Sequence, residues 1–218
     1  MKNSVTETFN IDVPIFAFSH CRDVVAAVSK AGGFGVLGAV GHSPDALEID
    51  LKWIEDEVGE HPYGVDLIVP AKYEGSDEGG LTVHKIADMI PDAHHEYVTQ
   101  ILEKYDVPEL AETKTGQFSM KNDGAAPMSA GTAGPQLEIA LAHNPSLVVN
   151  ALGPPPQFMI DRVKEAGRKV GALAGKAQHA ERHVNAGVDL IIAQGYEAGG
   201  HTGETVSYTH LRAHETAY

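Results

Sequence analysis

The chain has 218 residues, 43% hydrophobic and 21% charged, and its 16 Lys and Arg against 30 Asp and Glu give a formal net charge of −14. That length supports one domain with a substantial core, and the acidic balance serves solubility while excluding the clustered basic surface that nucleic acid requires. Cys21 is the one cysteine, which rules out a disulfide framework or thiolate metal cluster; no apolar run approaches the ~20 residues that span a bilayer, and residues 1–10 lack a signal-peptide core, so a cytoplasmic protein is expected.

Strand, glycine loop and helix then alternate. Residues 13–18 (VPIFAF) read as a buried strand. Ser19 and Asp23 are candidate caps for a helix with the apolar stripe Val24, Ala27, Val28 and Ala31, which Gly32-Gly33 stops. Residues 34–39 (FGVLGA) form a second strand, Ser43-Pro44-Asp45 opens a helix running to Val58, and residues 62–70 (PYGVDLIVP) form a third strand. Residues 71–143 break this rhythm: a polar loop to Gly80, helical stretches over 81–90 and 92–105, then a connection rich in Gly, Ser, Thr and Pro over 114–134. They predict an insertion over one end of the fold, either a lid or a solvated excursion.

The alternation resumes with strands at 146–151, 169–174 and 188–193, and helices at 156–166 and 176–186. Six βα-type units in one direction predict an α/β fold with a parallel sheet, as a (β/α)8 barrel or a doubly wound sheet. The missing Gly-x-Gly-x-x-Gly after the first strand counts against the dinucleotide-binding version.

The segment 193–204 (AQGYEAGGHTGE) carries the most chemistry. It follows an apolar strand, and in a (β/α)8 barrel that end of the strand bears the active site. Glycines at 195, 199, 200 and 203 let backbone N–H groups approach a ligand, and His201 is held among them. The bland alternative is a glycine-rich turn with an exposed histidine.

This segment resembles the GGHxGE loop of the nitronate monooxygenase family and a similar loop in FMN-type enoyl-acyl-carrier-protein reductases. PIFAFSHCRDVVAAVSKAGGFGVLGA resembles the family's first βαβ unit, YGVDLIVP its third strand, and NAGVDLIIAQGYEAGGHTGE agrees over twenty positions. The likeness covers residues 9–204 apart from much of the insertion. It implies an FMN-type (β/α)8 TIM barrel, truncated after about six units, with a helical insertion after strand three. It further implies FMN as cofactor and an alkyl nitronate or nitroalkane and O2 as substrates, giving a carbonyl compound and nitrite. By the same resemblance His201 is catalytic, either taking the α-proton of a nitroalkane or binding the nitro oxygens. Ala17, Phe18, Ser19, Asp66, Gln194, Gly199 and Gly200 match positions lining the flavin. Asp66 stands where Asn is commoner, and an acid there would disfavour a reduced flavin anion; Leu173 stands where some relatives have Lys. The alternatives are an NAD(P)H-dependent enoyl reductase and a flavin-binding barrel without catalysis. No metal site is expected.

Other candidates read as structural. Cys21 is expected to be buried or half-buried, Trp53 to pack a helix, and His94-His95 to lie on the surface. His179 and His183, one turn apart without a third ligand, suggest a solvated helix face. His20 and His42 follow the first two strands, near the expected flavin. Finally, residues 206–216 (VSYTHLRAHET) read as the translation of a sequencing-library transposon adapter. The expected division is therefore a partial barrel over 1–204 and a non-native tail over 205–218. Without the loops after strands seven and eight, where phosphate usually sits, the 218-residue chain is expected to bind FMN poorly.

Overall fold

The computed structural model describes residues 2–69, 81–108, 129–196 and 198. Its six strands are β1 (Phe16–Ser19), β2 (Phe34–Gly38), β3 (Tyr63–Leu67), β4 (Leu147–Asn150), β5 (Lys169–Ala174) and β6 (Leu190–Ala193). All pairings are parallel, and the order across the sheet is β1-β2-β3-β4-β5-β6. A doubly wound sheet reverses its order at a switch point, whereas a barrel advances in one direction. The absence of a reversal therefore settles the choice that the sequence left open, and the sheet curls as part of a (β/α)8 barrel.

The helices are α1 (Ser4–Phe9), α2 (Arg22–Lys30), α3 (Pro44–Val58), α4 (Val83–Asp88), α5 (Asp92–Lys104), α6 (Ala130–Ala142), α7 (Gln157–Glu165) and α8 (Ala177–Ala186). Strand alternation divides the core in two. Val65 and Leu67 of β3, with Leu37, Val148 and Val170, face outward onto Leu51 and Ile54 of α3, Leu137 of α6 and Met159 and Val163 of α7. Phe34, Val36, Leu147 and Val149 face the lumen with Phe9 and Ile11, flanked by Phe16, Leu173, Leu190 and Ile192. The lumen is a packed core, as barrel interiors of this size are.

α3 forms where its signals place it. Ser43 accepts a hydrogen bond from the Ala46 N–H, Pro44 occupies the first turn, and Leu47, Leu51, Ile54 and Val58 make one buried stripe. α2 departs from expectation: its buried face is Val25, Ala26 and Ser29, while Val24 is exposed. The cause lies in β2, where a Cβ on Gly35 would stand 2.2 Å from the Val25 carbonyl oxygen, so the helix backbone settles directly on the strand. Ser19 and Asp23 do not cap it either; the N-cap is Cys21, which makes no side-chain cap.

Two helices were not legible in the sequence. In α1, Asn3 and Thr6 cap each other's backbone N–H groups, and Phe9 packs edge-on against Phe16 and Phe34 with centroids 5.3 and 5.1 Å apart. α6 lies where a glycine- and proline-rich connection was expected. Its Ala133, Leu137 and Ala140 are buried against the core that holds α3 and β3, which makes it the helix joining β3 to β4. The helices α4 and α5 of the expected insertion follow their sequence signals, and α5 buries none of its residues.

Candidate active site

At the carboxyl end of the sheet, β1 runs out through Phe18 and Ser19 into His20. Phe18 is 56% exposed and meets the His20 ring edge-on at 5.0 Å, while His20 Nδ1 lies 2.9 Å from the Gly38 carbonyl oxygen. A Cβ on Gly38 would fall 2.5 Å from Phe18 Cζ and 2.7 Å from His20 Nδ1. Only glycine lets these two rings close over the end of β2.

Gly38 pairs in register with Asp66, and Asp66 in turn with Val149. Because Val65 and Leu67 face the helices, the Asp66 side chain faces the lumen. It is 9% exposed, and its Oδ1 is buried without a hydrogen-bond partner. Burial pushes the carboxyl up to about 8, the response expected when a charged form would lose its hydration. The expectation that an acid here opposes a reduced flavin anion holds only for the ionised form.

Buried polar side chains shape the surrounding loops. Asn150, fully buried at the end of β4, accepts from the Val69 N–H at 2.8 Å and donates to the carbonyls of Val69, Leu152 and Gly153 at 3.3, 3.1 and 3.2 Å. It thereby ties the loop after β3 to the loop after β4. Gln136 of α6 donates to the Ala39 and His42 carbonyls at 3.0 and 2.9 Å, pinning the loop after β2. Sequence reasoning missed both residues; a polar residue inside an apolar stretch (LVVN, PQLEIALA) was the available signal. His42 is buried and lies 3.1 Å from Asp50, which also takes Arg22 at 2.8 Å, and the Arg22 guanidinium stacks 4.7 Å from the Trp53 ring centre. His42 thus belongs to the helix layer, as Trp53 does.

Of the expected cofactor residues, Ala17, Phe18 and Ser19 line the end of β1 and Asp66 the end of β3. Gln194 follows β6, its N–H donating to the Ala174 carbonyl at 2.9 Å. All five lie on the carboxyl rim of the sheet, though β1 and β6 are separated by the four strands between them. His201, Gly199 and Gly200, and the adapter-like tail, lie outside the described residues. Leu173 packs with the apolar lumen cluster. Cys21 is exposed, not buried: it stands at the head of α2 with Sγ 3.5 Å from Asp23 Oδ2. His183 is fully buried rather than solvated, because α8 turns it onto β5, where Nε2 lies 2.9 Å from the Leu173 carbonyl oxygen. His94 and His95 are exposed as expected. Among the described residues no cluster of His, Cys, Asp and Glu could hold a metal ion, and no helix is long and apolar enough to cross a membrane.

The opposite, amino end of the sheet is differently built. A cleft of about 540 Å³ opens there between Phe9, Glu55, Tyr63 and Lys169. Beside it, His143 lies between Glu55 at 2.8 Å and Glu48 at 3.1 Å, and Glu55 also accepts from the Asn144 N–H at 2.7 Å. Burial works to raise the Glu55 carboxyl, but the hydrogen bonds from His143 and Asn144 and the histidine charge outweigh it and hold it low. Burial likewise works to lower His143, and its two carboxylate partners hold it high.

Residues 2–216 match the family model described as nitronate monooxygenase. The Mycobacterium tuberculosis protein named "Putative monooxygenase Rv1533" is 47% identical over 207 residues, covering 95% of this chain and 54% of that protein. The "Probable nitronate monooxygenase" of Staphylococcus saprophyticus is 28% identical, covering 93% of this chain and 51% of that protein. Among solved structures, FabK from Thermotoga maritima superposes with a TM-score of 0.61 at 21% identity, over 94% of this chain and 48% of that one. The nitroalkane oxidase of Streptomyces ansochromogenes does so with 0.59 at 24% identity, over 97% and 54%. At these identities the two structures speak for the fold. The chain spans about half the length of the curated relatives it matches.

Proposed function

The chain belongs to the nitronate monooxygenase family, and from that premise we propose that it is part of an FMN-dependent enzyme that oxidises alkyl nitronates with O2 to a carbonyl compound and nitrite. The observation that carries this reading is the family match across residues 2–216. The carboxyl rim suits a flat aromatic cofactor: exposed Phe18 offers an apolar face, Gly38 lets that ring and His20 settle over the end of β2, and Asp66 keeps a partnerless oxygen on the lumen face of β3. When bound there, FMN supplies a reversible electron acceptor that side chains cannot provide.

In this reading the ends of β1, β3 and β6, through Ala17, Phe18, Ser19, Asp66 and Gln194, hold and orient the ring system, with Gly199 and Gly200 letting the next loop approach it. His201 is the catalytic residue. For a neutral nitroalkane its imidazole takes the α-proton; for a preformed nitronate it orients the nitro oxygens. Asn150 and Gln136 act one step removed, by fixing the loops that frame the rim. The tail over 205–218 is proposed to lie outside the barrel domain.

The test is an absorbance spectrum of the purified longer protein, then anaerobic addition of a nitronate and, separately, of NADPH. Flavin bleached by nitronate, with the rate lost in His201→Ala, is the expected result. Bleaching by NADPH alone would move the assignment to an enoyl reductase, and a colourless protein would remove the cofactor from it.

A further inference from the structure

Asp66 is the one acidic side chain on the lumen faces of the described strands, and among the described residues no ion pair reaches it. The strands on either side, β2 (FGVLG) and β4 (LVVN), carry no titratable residue. His20 lies on the same rim, with Nδ1 2.9 Å from the Gly38 carbonyl oxygen, and Lys176 follows β5 there at the head of α8. The helices behind β3 lie on its other face, and their charges are paired outside the lumen: Arg22 with Asp50, Lys30 with Glu57, and Glu138 with Arg162. Lys169 begins β5 at the opposite, amino end. Its cross-strand partners are Gly38 and Val149, in a lumen wall that Val36 and Leu173 also line. A carboxylate there would be an unpaired charge in an apolar wall, whereas a carboxylic acid has one O–H to donate and one oxygen left over. Its Oδ1 is buried without a hydrogen-bond partner, on the face of β3 that alternation turns to the lumen.

We propose that Asp66 serves the ligand site as a neutral carboxylic acid, donating its O–H to an electron-rich atom of the bound flavin, so that the site holds its ligand only while that proton is in place. The proposal rests on the flavin reading above and adds a charge state that the residue type alone does not suggest. Protonated, Asp66 does the work of an amide N–H; ionised, it loses its donor and repels the same atom. The upward displacement of the carboxyl to about 8 places that change above neutrality.

The experiment has two arms, both on the longer protein that contains this chain. In flavin-free protein, the Asp66 carboxyl carbon is followed by NMR with pH, Asp66→Asn identifying its signal. In parallel, the FMN dissociation constant is measured by fluorescence quenching from about pH 6 to about pH 10 for wild type, Asp66→Asn and Asp66→Leu. The expected result is an Asp66 that keeps its proton through neutrality, and a wild-type affinity that falls about tenfold per pH unit above the titration. Asp66→Asn, which donates at every pH, should bind with a flat profile and so also serves as the control for the flavin's own titration. Asp66→Leu should bind at least about tenfold more weakly throughout. Wild type and Asp66→Asn sharing one pH profile, or Asp66 ionising in the ordinary carboxylate range, would overturn the proposal while leaving the flavin reading intact. Failure of every variant to bind FMN at any pH would overturn both.

Discussion

At the amino end of the sheet, Phe9, Phe16 and Phe34 close the lumen ring against ring, and His143 bridges Glu48 and Glu55. At the carboxyl end, Phe18 stands exposed, its ring and that of His20 close over a glycine at the end of β2, and Asp66 keeps a buried oxygen without a partner. The same strands supply both ends. The amino end closes its rings and its carboxylate–histidine clamp on one another, although Arg168 Nε there is also buried without a partner; the carboxyl end leaves an acid oxygen unpartnered in the lumen wall, which is what a ligand can use. Even the well-bonded residues of the upper end, Asn150 and Gln136, spend their hydrogen bonds on loops rather than on the core.

Substitutions at each end can break that contrast. The largest effect is expected from Phe34→Ala, which opens a cavity beneath the aromatic cluster and should cost about 3–5 kcal/mol in urea unfolding. If the cost fell below about 1 kcal/mol, the amino end would not be the stability end. Asn150→Ala removes the partner of the buried Val69 N–H and should cost about 2–3 kcal/mol. It should also weaken flavin binding beyond what lost stability explains, a split that equilibrium unfolding and binding titration measured on the same samples would show.

Two further predictions concern pH. Asp66 holds its proton more tightly folded than unfolded, so its contribution to stability is fully present below about 3.8 and is lost as pH rises towards about 8. The loss approaches about 1.4 kcal/mol per pH unit between those limits. Asp66→Asn should flatten that slope in melting curves recorded from acid to alkaline pH. For the amino-end clamp the two signs oppose. The Glu55 contribution is present above its ordinary 4.5 and fades as pH falls through its lowered value. The His143 contribution is present below its ordinary 6.5 and fades as pH rises through its raised value. The difference between wild type and Glu55→Gln should therefore peak between those two pH values at about 1 kcal/mol, since the cluster is partly open to screening solvent. A difference independent of pH would mean the clamp works by packing and not by charge.

Periodicity made most of the architecture legible. Five of the six strands fall within segments picked from apolar runs, β1 overrunning its segment by Ser19, and α3 matches its cap and proline signals at the start and its expected end at Val58. What escaped was governed by contacts between distant residues. The buried face of α2 is set by the bare backbone of Gly35, not by its own stripe. α6 carries Gly134 and Pro135 inside a helix, and only its buried face against the α3 layer overrides them. His183 looked like a surface histidine because its partner, the Leu173 carbonyl, is backbone and leaves no mark in the sequence. The site was legible in part: the rim residues follow from their places after strands, whereas the partnerless state of Asp66 requires knowing which face of β3 meets the lumen.

The strand order has a consequence for how such a chain comes into being. Each strand after the first docks beside its immediate predecessor, so the order of synthesis can be the order of assembly. On a ribosome, every completed βα unit would find its template edge already formed and would present a fresh edge to the unit still being made. Growth by such nearest-neighbour additions keeps the loop closures short except between β3 and β4, where residues 68–146 intervene, and favours stepwise folding from the N-terminus. The hazard is the same feature seen from the other side: until its successor arrives, the newest edge can pair with the matching edge of a nascent neighbour.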